Sequence, residues 1–297
     1  MSAGPSSQTK STKVKTKKTS AYDRGFELHL DENGVKPTYS SQKPDLAELE
    51  EALEVNRTSL APSTFLDGDF EKFRERNSRA KDETDVRETV MPTIVGPDPP
   101  YFTARNTVFG NLDSLTDGTI VVPKPDIYDG AVPKELDRTI RNQLAGHIVP
   151  STMVDKPMAP NFFVEVKGPD GASAVAARQA RYDGAIGARG MHSLQNHGRE
   201  EPQYDGRPYT YTSTYQDSTL KLYAHHLTAP TTEGGQPEYH MTQVKGFDMT
   251  NDRETFVKGA TAFRNARDLA KGHRDTFIQE ANARASHGHA AELDEEE

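Results

Sequence analysis

The sequence predicts an α/β fold, a mixed central β-sheet flanked by helices, with a helical N-terminal extension and a long C-terminal helix. Three observations carry this expectation. Residues 161 to 168, Asn-Phe-Phe-Val-Glu-Val-Lys-Gly, form the clearest strand-like run in the chain. Residues 208 to 224 read as a hairpin, with the polar turn Gln216-Asp217-Ser218 between two β-rich runs. Between and after these lie helix-period segments, the last from about Asp252 to Ala285 with Phe256, Ala260, Phe263, Ala270 and Phe277 at near-helical spacing.

Residues 1 to 20 carry Lys10, Lys13, Lys15, Lys17 and Lys18 with no acid, a composition too polar to fold, so a disordered basic arm is expected. Residues 21 to 96 read as a helical extension. One helix opens at Asp45-Leu46-Ala47-Glu48-Leu49, a second follows Ser63-Thr64-Phe65-Leu66 through Phe70 and Phe73, and Glu83 to Val95 is amphipathic. Gly96-Pro97-Asp98-Pro99-Pro100 must break it, because proline lacks an N–H donor and restricts the residue before it.

The main domain is expected over 97 to 285. Thr119-Ile120-Val121-Val122 reads as a strand, Pro133 to Ala145 as a helix with proline in its first turn, and about Ala172 to Ala188 as an Ala-rich helix. Glycines in Asp183-Gly-Ala-Ile-Gly-Ala-Arg-Gly190 are read as that helix's stop, not as a phosphate loop, because the run does not join a strand to a helix. A strand near Tyr239 to Val244 extends the sheet, and residues 286 to 297 are expected to be a disordered acidic tail.

Composition excludes several function classes. Of the 297 residues 33% are hydrophobic, and with 22 Gly the total is roughly 40%, below the about 45–50% usual for globular domains, so part of the chain lies outside any core. The absence of cysteine removes disulfide scaffolds, thiolate metal sites and cysteine nucleophiles. No apolar run approaches the roughly 20 residues of a membrane span, and the N-terminus lacks an apolar signal core, which predicts a soluble intracellular protein with no membrane partner. A net charge of −9 disfavours indiscriminate nucleic-acid binding, so such binding would need a local basic patch.

Chemistry concentrates at the 161–168 strand. Side chains alternate, so Phe163, Glu165 and Lys167 share one face while Phe162, Val164 and Val166 share the other. Gly168-Pro169 ends the strand, which puts a carboxylate and an amine at its carboxyl end, where open sheets build sites. Hydrolysis of phosphodiesters uses this pairing: carboxylates hold Mg²⁺ or Mn²⁺, and a lysine orients water or offsets developing charge. Pro125-Asp126 offers the second carboxylate.

Pro125-Asp126 followed by Glu165-Val166-Lys167 resembles the signature of the PD-(D/E)XK nuclease superfamily, whose core is a restriction-endonuclease-like mixed sheet with a metal site of two carboxylates and one lysine. The wider chain, especially 160–170, Tyr182-Asp-Gly-Ala185 and Gly190-Met-His-Ser193, is similar to a fungal nuclease-like domain family of unknown function placed in that superfamily. The resemblance implies Asp126 and Glu165 as metal ligands, the backbone carbonyl of Val166 as a further one, and Lys167 as the water-positioning residue. It also implies Gln179 as an organising residue, although the exonuclease branch separates its Gln and Tyr by three residues, whereas Gln179 and Tyr182 are separated by two. Thirty-eight residues lie between Asp126 and Glu165, more than a hairpin needs, so Asp129 and Asp155 stand as alternative partners, with Glu88 as an acid from the preceding helical region.

Arg178 and Arg181 lie one turn apart on the following helix and would face phosphate, with Arg189 at its end and Arg138 and Arg141 on the earlier helix; the plainer reading of each is a solvated helix face. The adjacent His225-His226 and the pair His287 and His289 lack a spaced carboxylate and are expected to be solvated, and the tyrosines from Tyr209 to Tyr223 are expected to pack across strands. The function expected is Mg²⁺-dependent hydrolysis of DNA, RNA being a second substrate class, and the basic arm points to the nucleus. The rival is a nuclease-like fold that no longer cuts and serves as a nucleic-acid-binding or protein-interaction module.

Overall fold

The structure, a computed structural model, describes residues 18–96 and 101–295, of which 287–295 are described as helical backbone only. Most of the expected arm and residues 97–100 of the breaker therefore lie outside the described residues, as do the side chains of His287 and His289. Among the described residues no helix is long and apolar enough to cross a membrane.

Six strands form one mixed sheet in the order of the chain: β1 (Phe102–Arg105), β2 (Ile127–Ala131), β3 (Met158–Val166), β4 (Thr210–Gln216), β5 (Thr219–Thr228) and β6 (Glu238–Asp248). All neighbours are antiparallel except β3 and β4, which are parallel and are joined by α8 (Ser173–Asn196), because parallel strands need a crossover. The β4–β5 hairpin turns through Asp217 and Ser218, both at positive φ (46° and 62°), the backbone a two-residue turn requires.

The two faces of β3 sort as the alternation predicts. Phe162, Val164 and Val166 enter one core with Phe256, Phe263 and Ala270 of α9 (Arg253–Glu295), with the extension helices α2 (Ala47–Leu53), α3 (Asp67–Arg79) and α5 (Met91–Val95), and with Val86 and Val90, which follow the short α4 (Glu83–Asp85). Phe163 enters a second core with Val175, Tyr182 and Ile186 of α8 and with Phe26 and Leu30 of α1 (Gly25–Glu32). Each such side chain contributes about 1.5–3 kcal/mol on burial, so both faces must be covered. Between α4 and α5, Val86–Val90 widen into a π turn; Pro92 follows it and has no N–H for the carbonyl four residues back.

Several expectations are corrected. Thr119–Val122 is not a strand: Ile120 makes one isolated parallel bridge to Thr19, and Pro123 and Pro125 deny the run a ladder. That bridge also places Thr19 and Ser20 in ordered structure, where the basic arm was expected to continue. The helix expected from Pro133 to Ala145 is a 3₁₀ turn at Pro133–Glu135, then α6 (Arg138–Gln143), capped by Asp137, and α7 (Ala145–Ile148). The glycines of 183–190 do not stop α8, which runs through them. A Cβ at Gly184 would lie 2.1 Å from the His225 ring and one at Gly187 2.7 Å from Phe163, so these glycines let the helix approach the sheet. The C-terminal helix continues to Glu295 through the expected tail. His225 and His226 are buried, not solvated, on opposite faces of β5. Tyr211, Tyr215 and Tyr223 are buried, as packing across strands requires.

Candidate functional site

Asp126, Glu165 and Lys167 meet at the carboxyl end of β3, and all three are buried, at 5%, 1% and 4% exposure. The local chain explains how. The β2–β3 ladder ends at Ile127 opposite Val164, so the Val166 N–H has no strand partner there, and the Asp126 carboxylate accepts it at 2.8 Å. In return the Asp126 N–H donates to Glu165 Oε1 at 3.3 Å. The insertion between the strands, which carries α6 and α7, leaves β2 and β3 as direct neighbours. Lys167 Nζ lies 3.9 Å from Asp126 Oδ2 and 3.9 Å from Glu165 Oε2, and donates to the Val166 carbonyl at 2.9 Å.

Two acids that sequence reasoning did not assign complete the cluster. Glu83, not Glu88, reaches it from the helical extension and accepts from Lys167 Nζ at 3.2 Å. Gly168 makes this approach possible, since a Cβ there would fall 2.8 Å from the backbone of Asp82 and Glu83. Glu88 is turned outward and pairs with Arg105 and Arg87 at 3.3 Å. The second acid is Asp183 on α8, 3% exposed and facing Glu165. Glu165 Oε2 and Asp183 Oδ2 lack hydrogen-bond partners, because two carboxylates are both acceptors until one carries a proton. The signal available in the sequence was an acid four residues after Gln179 on an otherwise apolar helix face.

Gln179, Tyr182, Asp183 and Glu165 line a cavity of about 140 Å³. Its mouth is formed by Ser20 to Tyr22 and by Val121 to Lys124, with Tyr22, Val121 and Val122 exposed. The Gln179 side-chain oxygen has no partner. Gln179 is thus paired in space with Asp183 across one helical turn, while Tyr182 packs edge-on against Phe26.

The other expected residues are elsewhere. Asp129 points to the opposite face, where it forms a buried ion pair with Arg267 at 2.6 Å and accepts from Thr103. Asp155 is exposed beside Lys156, before a strand along which Glu165 lies about 23 Å from the first residue at ~3.3 Å per residue. Arg178 and Arg181 are not turned to solvent for phosphate. Arg178 holds the Ala21 carbonyl and Glu27, and Arg181 is 5% exposed and bonded to the Val35 carbonyl, so both fasten the segment around α1 onto α8. Arg189 is likewise spent on the carbonyls of Asp113 and Gly146, and Arg141 on that of Pro133; Arg138 alone of these is exposed.

Burial dominates the electrostatics. It raises Asp126 to about 6, against the pull of the Val166 N–H and Lys167, and it raises Asp183 to about 7. It also pushes Glu165 well above the usual carboxylate range, reinforced by Asp183 and Asp126. Burial lowers the Lys167 ammonium, but Glu165, Asp126 and Glu83 outweigh it and the net direction is upward. Four carboxyl groups, of Glu83, Asp126, Glu165 and Asp183, thus gather near Lys167, with Arg87 3.6 Å from Asp126 at the edge. As placed, no group of three or more His, Asp or Glu among the described residues has the spacing of a metal site. By donor chemistry the cluster suits a hard divalent cation, given its oxygen ligands, its partnerless Glu165 Oε2 and its surplus of acid. The Val166 carbonyl is occupied by Lys167.

A family model described as a domain of unknown function, DUF7924, matches residues 70–281, and the chain belongs to that family. The matched span opens within α3 and so takes in Glu83 and Arg87 together with the sheet. No curated protein and no solved structure matches the chain.

Proposed function

We propose that this DUF7924 member is a PD-(D/E)XK-type nuclease that hydrolyses phosphodiester bonds of DNA with Mg²⁺ or Mn²⁺. The observation that carries the reading is the convergence of Asp126, Glu165 and Lys167 within 3.9 Å at the end of one strand. Burying two carboxylates and an ammonium costs several kcal/mol per ion before pairing repays it, and such expense is typical of sites that do chemistry.

Asp126 and Glu165 would hold the cation. When bound it would supply Lewis-acid polarisation of the phosphoryl group and acidify a water. Lys167 carries its charge where negative charge develops on the phosphoryl oxygens, and Glu83 fixes its position. The Asp126 carboxylate, tied to the Val166 N–H, keeps one oxygen in place. Asp183 and Gln179 present further oxygens from α8 to the same cavity. The narrow cavity with an exposed tyrosine at its mouth suits a strand end or single strand over an intact duplex.

The rival reading, a nuclease-like fold that no longer cuts and serves as a nucleic-acid-binding or protein-interaction module, finds support in its protein-interaction form: Arg178, Arg181 and Arg189 bond to the protein itself, leaving no arginine track for phosphates on α8. A cleavage assay on end-labelled single-stranded, linear duplex and supercoiled DNA, with Mg²⁺, Mn²⁺ or EDTA, separates the two. Metal-dependent products that Glu165→Gln loses by at least about 100-fold, as removal of a ligand carboxylate should cause, are the expected result. No products and no calorimetric Mn²⁺ binding by the folded protein would sink the nuclease reading in favour of the module.

A further inference from the structure

We infer that the mouth of the Glu165 cavity selects single-stranded DNA, the Tyr22 ring stacking a base beside the scissile bond and Lys124 holding a neighbouring phosphate. The inference rests on the nuclease reading and adds the residues that choose the substrate. The cavity, about 140 Å³, is smaller than the ~300–1,000 Å³ of sites that enclose a whole small molecule. It takes a phosphate toward the carboxylates and leaves the flanking bases on the rim.

That rim offers surface for a base. Tyr22, Val121 and Val122 line it at 72%, 44% and 36% exposure, apolar groups left in solvent around a floor made of Glu165, Asp183 and Gln179. Grouped exposure of this kind marks a binding surface. An aromatic ring stacks on any base, but in a duplex the base faces already cover one another, so only a single strand or an unpaired end presents one.

The ring's support is fixed. Ser20 to Asp23 form a turn in which the Asp23 N–H donates to the Ser20 carbonyl at 2.8 Å, and Tyr22 stands at its tip. Arg178 donates to the Ala21 carbonyl at 3.1 Å, and the Ser20 N–H and hydroxyl donate to Asp23 at 2.9 Å. Opposite, the Val121 N–H donates to the Thr19 carbonyl and the Phe109 N–H to the Pro123 carbonyl, both at 2.9 Å. The pairing of Thr19 with Ile120 is parallel, so Lys18 lies toward Thr119 and away from Lys124, and the mouth stays open.

Lys124 lines the same mouth, is exposed, and has no side-chain partner among the described residues. The acids of the facing segment are engaged within it, Asp23 by Ser20 and Glu27 by Arg178 at 3.3 Å. An unpaired ammonium there serves the next phosphate of a strand whose scissile phosphate lies at the cluster.

The test uses the full chain with a short labelled oligothymidylate and its blunt duplex with oligoadenylate. Cleavage is followed in Mg²⁺, and binding by anisotropy in Ca²⁺, an oxygen-seeking cation with looser coordination. The single strand should be cut about tenfold or more faster than the duplex. Tyr22→Ala should raise KM, and Kd in Ca²⁺, about tenfold with kcat changed by less than about twofold, while Tyr22→Phe matches wild type because stacking needs the ring and not the hydroxyl. Lys124→Gln should lower the salt slope of binding by about 0.7, the share of one single-strand phosphate. Equal cleavage of single strand and duplex, or a Tyr22→Ala protein that binds and cuts as wild type does, overturns the inference and leaves the nuclease reading standing. Binding that depends on Tyr22 without cleavage in either metal upholds the mouth and rejects the nuclease. Folded protein that neither binds nor cuts the single strand overturns both.

Discussion

Lys167 Nζ donates to Glu83 Oε2 at 3.2 Å while standing 3.9 Å from both Asp126 and Glu165, so one ammonium joins the helical extension to the end of the central strand. The extension is therefore part of the candidate site. It carries an acid into the cluster, and Gly168 leaves room for its backbone.

Removing that ammonium should destabilise the protein in a pH-dependent way. Lys167→Met leaves Asp126 and Glu165 buried without their cation, a change that costs about 3–5 kcal/mol while the acids stay ionised. Protonation relieves it, since Asp126 already titrates near 6. Urea unfolding should show the larger loss at pH 8 and a smaller one at pH 5. Equal losses at both would contradict the coupling.

The carboxylates and the buried histidines pull stability in opposite directions with pH. Asp126 at about 6 and Asp183 at about 7 lie above the unfolded value of about 3.9, so their stabilisation is complete below pH ~4 and disappears as pH rises through 6 to 7. His225, held by burial at about 3, and His226, at about 4, are neutral in the fold, so the unfolded chain gains protons below about 6.5 and stability falls toward acid. Asp183→Asn isolates the first effect. In EDTA its stability relative to wild type should improve from pH 5 to pH 8, and a constant difference across that range would refute the assignment.

Two glycine substitutions on helices should have opposite signs. Gly184→Ala places a methyl 2.1 Å from the buried His225 ring and should cost about 1–3 kcal/mol. Gly272→Ala meets nothing within 4 Å and should gain about 0.5–1 kcal/mol of helix propensity. Denaturant midpoints at fixed slope check both, and a neutral Gly184→Ala would mean that α8 does not press on β5 as described.

Arg181 is a fastener in this fold. Arg181→Met should raise amide exchange over residues 25–36, which the guanidinium holds through the Val35 carbonyl. If the protein binds DNA, the salt dependence of binding should be unchanged, whereas loss of one phosphate contact would lower the slope by about 0.9. A reduced slope with unaltered exchange would return Arg181 to the phosphate-facing role.

Much of the candidate site was legible because a strand repeats every two residues: Glu165 and Lys167 had to share the face of Phe163, and Gly168-Pro169 had to end the strand after them. Asp126 was legible as a second acid, but at the end of the strand-like run from Thr119, whereas the structure puts it just before β2. Its choice over Asp129 was not, since a three-residue step along an extended chain reverses which face a carboxylate meets, and only the register of β2 against β3 decides which of the two faces Glu165. Glu83 and Asp183 were missed for a different reason. Each is a helical residue whose partner lies across a packed interface, and no local pattern encodes that contact.

By itself the sequence determined the strongly periodic elements and their faces: the apolar side of β3, the turn of the β4–β5 hairpin, and the long C-terminal helix with its buried Phe256 and Phe263. These follow from short-range periodicity and backbone preference. Tertiary structure decided what the charged residues do. It turned Arg178, Arg181 and Arg189 inward as ties, used the glycines of α8 for close approach instead of termination, and brought Glu83 and Asp183 to Lys167 and Glu165. The physical reason is distance: the energy of a charge depends on what packs against it, and those neighbours lie 18 residues away along the chain for Asp183 and Glu165 and 84 for Lys167 and Glu83.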